Sequence, residues 1–248
     1  MIRIEEIHKS FNGFPVLKGV SFEVKKGEIL ALIGGSGKGK SVILKHVVGL
    51  ITPDQGHVYI DGKDIGHLKG KELEELRSRF GFLFQGGALF SSLTVFDNLA
   101  FPLREKTNLK EEEIRDRVLQ ELDQVGLAGA ENKFPAELSG GMLKRTAFAR
   151  ALVTKPEIIL FDEPTTGLDP VIAHTILDLV KSVHQHRGFT AIIVSHELSR
   201  LFQIAQKVAM LHEGVILTIG TPDEFLSSDN PVVRQFVSGS LEGPIKLY

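Results

Sequence analysis

The strongest constraint in this chain is a strand, a glycine-rich loop and a helix in direct succession. The uniformly apolar run Ile29-Leu30-Ala31-Leu32-Ile33 leads into Gly34-Gly35-Ser36-Gly37-Lys38-Gly39-Lys40-Ser41, and the helical pattern VILKHVVGL follows. This is G-x-x-x-x-G-K-S in the context the motif requires. Glycines allow the backbone angles that turn successive N–H groups inward as an anion nest, and the helix opening near Gly39 adds the positive end of its dipole. Lys40 is placed to reach β- and γ-phosphates, and the Ser41 hydroxyl to ligate Mg²⁺. A chain built this way folds around a buried strand that delivers a phosphate cradle to its carboxyl end.

A second buried run ends in acids. Ile158-Ile159-Leu160-Phe161 is followed by Asp162-Glu163. An aspartate at a strand's carboxyl end can hold a metal, and an adjacent carboxylate can polarise an attacking water. A third apolar run, Ala191 to Val194, completes a set suited to central parallel strands covered on both faces. By contrast, residues 1–27 alternate apolar and polar (Ile2-Ile4, Val20-Phe22-Val24), as do antiparallel strands with one wet face, and Val58-Tyr59-Ile60 precedes an Asp61-Gly62 turn. The stretch between the first two buried runs is mostly helical. Ile114, Val118, Leu122 and Val125 share a helical face, and Asn108 with Glu111 is spaced as a capping box. The expected fold class is α/β: a P-loop NTPase core with a parallel sheet, an N-terminal antiparallel β subdomain, and an inserted helical subdomain at about residues 91–152.

Composition narrows the chemistry. None of the 248 residues is Cys, which removes thiol nucleophiles, iron–sulfur clusters, Cys-ligated zinc and disulfides. A formal net charge of −2 without a Lys/Arg cluster argues against nucleic acid as the partner. A membrane-spanning helix needs roughly 20 mostly apolar residues. The longest stretch free of charge and His, Phe80 to Phe96, is interrupted by Gln85, Gly86, Gly87, Ser91 and Ser92, and MIRIEEIHKS lacks a signal-peptide core. These features predict a cytosolic chain. One imbalance stands out: six of the 16 Phe lie between Phe80 and Phe101, where even spreading would place roughly one or two at average composition.

The sequence Leu138-Ser139-Gly140-Gly141-Met142 precedes the helical run LKRTAFARAL, so Ser139 reads as an N-cap with two glycine amides at a helix start, a second anion site. Together with Gln85 in FLFQ, Gly167-Leu168-Asp169 after the acids, and His196 after the run AIIV, it makes the chain resemble, over residues 1 to about 236, the nucleotide-binding subunit of an ABC transporter. The resemblance implies a head-to-tail homodimer with two ATP molecules at the interface. Each would touch Gly34 through Ser41 of one chain and Ser139, Gly140, Gly141 and Met142 of the other. It further implies that Phe11 stacks on adenine, Gln85 senses Mg²⁺ and the attacking water, Glu163 is the general base, His196 contacts the γ-phosphate, and Asp169 links the two sites. Ser41, Gln85 and Asp162 would serve the metal. His46, His174, His184 and His186 read as exposed helix residues. Three positions depart from the common pattern: Met142 where most relatives carry Gln, Val42 where a second hydroxyl is usual, and Gly167 where many carry Ala.

Within that family, LFQGGALFSSLTVFDNLAFPLRE (residues 83–105), the LSGGM motif and the tail VRQFVSGSLEGPI resemble the MlaF-type ATPases of bacterial phospholipid transport. This implies an MlaE-type membrane permease, an MCE-domain protein of MlaD type, a STAS-domain partner of MlaB type, and a peripheral place on the cytoplasmic face of the inner membrane. An ABC ATPase serving a small polar solute is the alternative. The Phe-rich segment beside Gln85, with Gly86-Gly87 within it, suits an apolar groove for the permease. The tail from Val237 to Tyr248 carries apolar residues without an obvious local partner, which predicts docking on a neighbouring protomer.

Overall fold

The computed structural model describes residues 1–246; of the tail, Leu247 and Tyr248 lie outside the described residues. Along the chain run β1 (Ile2–Phe11), β2 (Phe14–Val24), β3 (Ile29–Gly34), α1 (Lys40–Val47), β4 (Gln55–Ile60), β5 (Lys63–Asp64), α2 (Gly70–Ser78), β6 (Phe80–Leu83), α3 (Val95–Lys106), α4 (Glu111–Gln124), α5 (Gly140–Leu152), β7 (Ile158–Asp162), α6 (Pro170–Arg187), β8 (Thr190–Val194), α7 (Leu198–Leu201), β9 (Lys207–His212), β10 (Val215–Gly220), α8 (Pro222–Leu226) and α9 (Pro231–Ser238). They fall into two compact units. One comprises Met1–Lys69 with the chain from Thr190 onward, and the other Gly70–Phe189.

The first unit holds two sheet regions. In the antiparallel one, β1 pairs with β2 from Ile2↔Val24 to Phe11↔Phe14 and with β4 from Ile2↔Ile60. Asn12 and Gly13 both have positive φ, 50° and 79°, which matches the type I′ turn that right-twisted hairpins favour. Alternation works as read: Ile2, Ile4, Val20, Phe22 and Val24 are buried. In the parallel region β3 pairs with β8 (Leu30↔Ile192) and with β9 (Leu32↔Ala209), and β10 returns antiparallel on β9. Every residue of β3 is buried, as are all of β8. That two-sided burial is why these strands show no polar alternation.

In the second unit β6 and β7 pair in parallel, from Phe80↔Ile158 to Leu83↔Phe161. On α4 the face Ile114, Val118 and Leu122, continued by Val125, is buried. Its start differs from expectation: Lys110, not Asn108, is the N-cap, and the Lys110 N–H donates to Glu113 Oε2 at 2.8 Å. Glu111 instead receives Arg104 Nε and Nη2, at 2.9 and 2.8 Å. A bidentate guanidinium outcompetes a cap at an exposed position. On α5, Phe148 packs against Phe161 of β7 with ring centroids 5.5 Å apart. Among the described residues no helix is long and apolar enough to cross a membrane.

Candidate phosphate and carboxylate sites

In the first unit, β3 hands directly to the glycine-rich loop and the loop to α1. Gly34 has φ 145°, and a Cβ there would stand 2.2 Å from the Leu211 carbonyl oxygen of β9, so only glycine fits. Gly39 caps α1 at φ 106°, where a Cβ would lie 2.9 Å from both Leu17 Cδ2 and Val16 Cγ1. Lys40 is buried, and its Nζ donates to the carbonyls of Gly34 and Gly35, each at 2.8 Å. The ammonium is thus folded back over the loop by main-chain oxygens. Ser36, Gly37 and Lys38 are exposed, and Ser41 is half-buried in the first turn of α1. His196 follows β8, the parallel neighbour of β3, so it and the loop leave the sheet from the same strand ends, the ends at which open α/β sheets bind ligands. Its side chain is exposed, and its carbonyl accepts from Leu198 N–H at 3.0 Å. Phe11, at the end of β1, is 43% exposed, with Lys9 Nζ 5.7 Å from its ring centroid. His46 corrects an expectation. Expected at the surface, it is buried on α1, with Nδ1 2.8 Å from the Val42 carbonyl, and burial holds its pKa below the ordinary histidine value. His184 is half-buried against Phe189, while His174 and His186 are exposed as read.

In the second unit, Gln85 and Glu163 leave the carboxyl ends of the neighbouring parallel strands β6 and β7, and their side chains meet. Gln85 Nε2 donates to Glu163 Oε2 at 2.9 Å, and Thr166 Oγ1 donates to the same oxygen at 2.8 Å. Asp162 is buried at the end of β7. Glu163 sits at φ 50°, a left-handed conformation in a non-glycine residue. Such strain costs of the order of 1 kcal/mol or more, and it clusters at functional sites. Ser139 caps α5, its Oγ accepting from Met142 N–H at 3.4 Å. Gly140 and Gly141 press against the start of α6: a Cβ on Gly141 would meet Ile172 Cγ2 at 2.8 Å. Asp169 caps α6, with Oδ1 accepting from the N–H groups of Val171 and Ile172 at 3.1 and 3.0 Å. A cavity of about 420 Å³ opens among Gln85, Gly87, Gly140, Lys144, Thr166 and Leu168.

Two members of this arrangement escaped sequence reasoning. One is Thr166. The other is Lys144, whose Nζ donates to the Gln85 carbonyl. Burial pushes its ammonium below the ordinary lysine range, while the nearby Glu163 charge opposes that shift. A signal existed: Lys144 interrupts the i, i+3, i+4, i+7 face completed by Ala147, Phe148 and Ala151, all buried.

The Phe cluster divides. Phe80 is buried, Phe82 stacks on Phe84 at 4.0 Å, and Phe90 and Phe101 remain 45% and 42% exposed while packing edge-on at 5.1 Å. Arg150 lies 5.9 Å from the Phe90 ring and donates to the carbonyls of Gly87 and Ala88. The tail also corrects its expectation in part. Ile245 has a partner in its own chain, since its N–H donates to Gln235 Oε1 at 2.6 Å and its carbonyl accepts from Gln235 Nε2 at 3.2 Å. Leu241 stays 82% exposed.

Within the first unit Lys40 and the Ser41 hydroxyl suit phosphate oxygens and a hard cation; within the second, taken by itself, the Asp162 carboxylate is a hard oxygen donor of the kind Mg²⁺ takes. Among the described residues no group of three or more His, Cys, Asp or Glu could hold a metal ion.

The family model described as "ABC transporter" matches residues 17–166, and one described as "AAA domain, putative AbiEii toxin, Type IV TA system" matches residues 135–199. The chain is 46% identical to the "Probable ribonucleotide transport ATP-binding protein mkl" of Mycobacterium leprae, covering 98% of this chain and 70% of that one. It is 43% identical to the "Intermembrane phospholipid transport system ATP-binding protein MlaF" of Haemophilus influenzae, covering 93% and 88%. Among solved structures, a dimeric ATP-binding cassette in a post-hydrolysis state with ADP and Pi matches with a TM-score of 0.82 and 32% identity over 90% of this chain and 99% of that one.

Proposed function

This chain belongs to the ABC transporter ATP-binding family, and from that premise we propose that it hydrolyses ATP to drive phospholipid transport between membranes. The observation that carries the chemistry is the carboxylate of Glu163, held by Gln85 and Thr166 beside the strand-end Asp162. In this reading Lys40 and the loop amides bind the β- and γ-phosphates, and Phe11 takes the adenine. Glu163 accepts a proton from water as the water oxygen bonds to the γ-phosphorus; the bond from that phosphorus to the bridging oxygen breaks, and ADP leaves with the electron pair. Glu163, fixed by two donors, needs little reorganisation to act as base. Ser41, Asp162 and Gln85 are the residues to hold Mg²⁺, which supplies neutralisation of phosphate charge. His196 contacts the γ-phosphate. Ser139, Gly140, Gly141 and Met142 serve the nucleotide of a second copy, and Asp169 joins the two sites. Met142 leaves the amide donors of this helix start in place, so activity survives its departure from Gln.

The cargo rests on the 43% identity to the H. influenzae MlaF. By the same likeness the chain sits peripherally on the cytoplasmic face of the inner membrane as a homodimer under an MlaE-type permease, with MlaB-type STAS and MlaD-type MCE partners. Its body is residues 1–236, with a helical subdomain near 91–152 and a tail at 237–248. Phe90 and Phe101 form the docking surface for the permease, where Phe90→Asp releases the permease and leaves ATP binding intact; an unchanged pull-down would remove this assignment. A second reading, transport of a small polar solute, is favoured by the 46% identity to a protein named for ribonucleotide transport. Purifying the complex from native membranes in mild detergent and identifying bound molecules by mass spectrometry decides between them. Enriched phospholipid supports the first reading, and bound ribonucleotide other than ATP or ADP supports the second.

A further inference from the structure

In the second unit α5 does more than present Ser139, Gly140 and Gly141. Two of its cations reach back to the loop after β6: Lys144 Nζ donates to the Gln85 carbonyl, and Arg150 donates to the carbonyls of Gly87 and Ala88 at 2.9 and 2.8 Å. Gly87 and Ala88 both have positive φ, 76° and 49°, so this loop turns its carbonyls toward the helix. Of the two cations Lys144 is the more deeply placed, 8% exposed on the face it shares with Ala147, Phe148 and Ala151. A charge kept in such a face is costly unless hydrogen-bonded, and the Gln85 carbonyl is the acceptor that receives it. Gln85 in turn spends its side-chain amide on Glu163 Oε2. A continuous chain of contacts thus runs from helix to base: Lys144, the Gln85 main chain, the Gln85 amide, the Glu163 carboxylate.

We infer that Lys144 is a positioning residue for hydrolysis, holding the Gln85 main chain so that the Gln85 amide keeps the Glu163 carboxylate in its working orientation. The inference rests on the reading of Glu163 as the base. It gives α5 a second task, because the helix whose first residues serve one nucleotide then also sets the base for another. Lys144 touches neither water nor phosphate in this scheme, so its loss shows in turnover and not in nucleotide affinity.

The test is steady-state ATP hydrolysis by the full chain, with ATP affinity measured separately by a fluorescent ATP analogue. Lys144→Met, which keeps the stem and removes the donor, is expected to lower kcat at least tenfold while KM and analogue affinity stay within twofold. Lys144→Arg, which restores a donor, is expected to recover kcat to within threefold of the parent. In a Gln85→Ala background, Lys144→Met is expected to cost no more than a further twofold, because the link it supports is already gone. A Lys144→Met enzyme within twofold of the parent, an arginine variant no better than the methionine one, or full multiplication of the two losses would each overturn the inference. If circular dichroism shows the methionine variant unfolded, Lys144→Gln takes its place in the cycle. Glu163→Gln runs alongside: parental turnover there would sink the reading of the base itself, whereas an inactive Glu163→Gln beside a fully active Lys144→Met sinks only the role of Lys144.

Discussion

The glycine-loop site and the carboxylate site of this protein are built on different principles. The first is made from one uninterrupted stretch of chain, Gly34 to Ser41, rich in glycine and with one lysine folded over its own loop. The second is gathered from segments far apart in sequence, around Gln85, Lys144 and Glu163 to Thr166, and its geometry is held by side-chain hydrogen bonds. In the first, Gly34 and Gly39 have no room for a side chain. A site made of converging side chains depends on every link.

Four measurements test that contrast. Glu163→Gln is expected to lower kcat by about 10²- to 10³-fold, the usual worth of a positioned base, with ATP affinity within about twofold and a closed ATP-bound dimer accumulating on a sizing column. Lys40→Ala is expected to act on affinity, weakening ATP binding by roughly a hundredfold through loss of a charge-assisted phosphate contact, read by titration calorimetry. If each variant instead disturbed affinity and turnover equally, the division of labour would be wrong. Gly39→Ala forces a Cβ into Val16 and Leu17 at positive φ; the expected cost is about 2 kcal/mol, or roughly 5 °C in Tm, seen by calorimetry without ligand. Thr166→Val removes one donor to Glu163 and is expected to raise the barrier by about 1 kcal/mol, roughly a fivefold loss in kcat.

A smaller effect concerns His46 and pH. Its pKa is held down by burial, so between the ordinary histidine value of about 6.5 and the lower folded value the unfolded chain binds a proton that the folded chain refuses. Stability is therefore complete above that value and declines as pH falls below it. Tm at pH 5.5 is expected to drop a few degrees relative to pH 7.5, and His46→Leu to flatten that part of the slope.

Locality also explains what could be read beforehand. The buried strands, the loop and its helix, the Ser139 cap and the apolar face of α4 are encoded by neighbours in sequence, and residue type at fixed spacing was enough to find them. Lys144 shows in the sequence only as a charge that interrupts an apolar helix face, and its acceptor on Gln85 arrives only when β6 and α5 come together; Thr166 meets Glu163 three residues back, but a threonine in a loop carries no pattern that marks it. His46 misled because a polar residue on a helix is usually turned to water; here its Nδ1 reaches the carbonyl one turn back, which lets the ring lie inside. The Asn108–Glu111 spacing misled because a cap motif competes with an arginine that the spacing cannot see. The tail's contact with Gln235, ten residues before Ile245, runs through the main chain and has no pattern of residue types to announce it.

That glutamine ties down the segment that follows α9. Here Gln235 closes the final segment into a loop, and Leu241 and Ile245 border a cavity of about 590 Å³ whose wall includes Gly35 and Lys38. A substitution between Leu241 and Ile245 therefore reshapes a wall that these residues share with Gly35 and Lys38 of the glycine-rich loop.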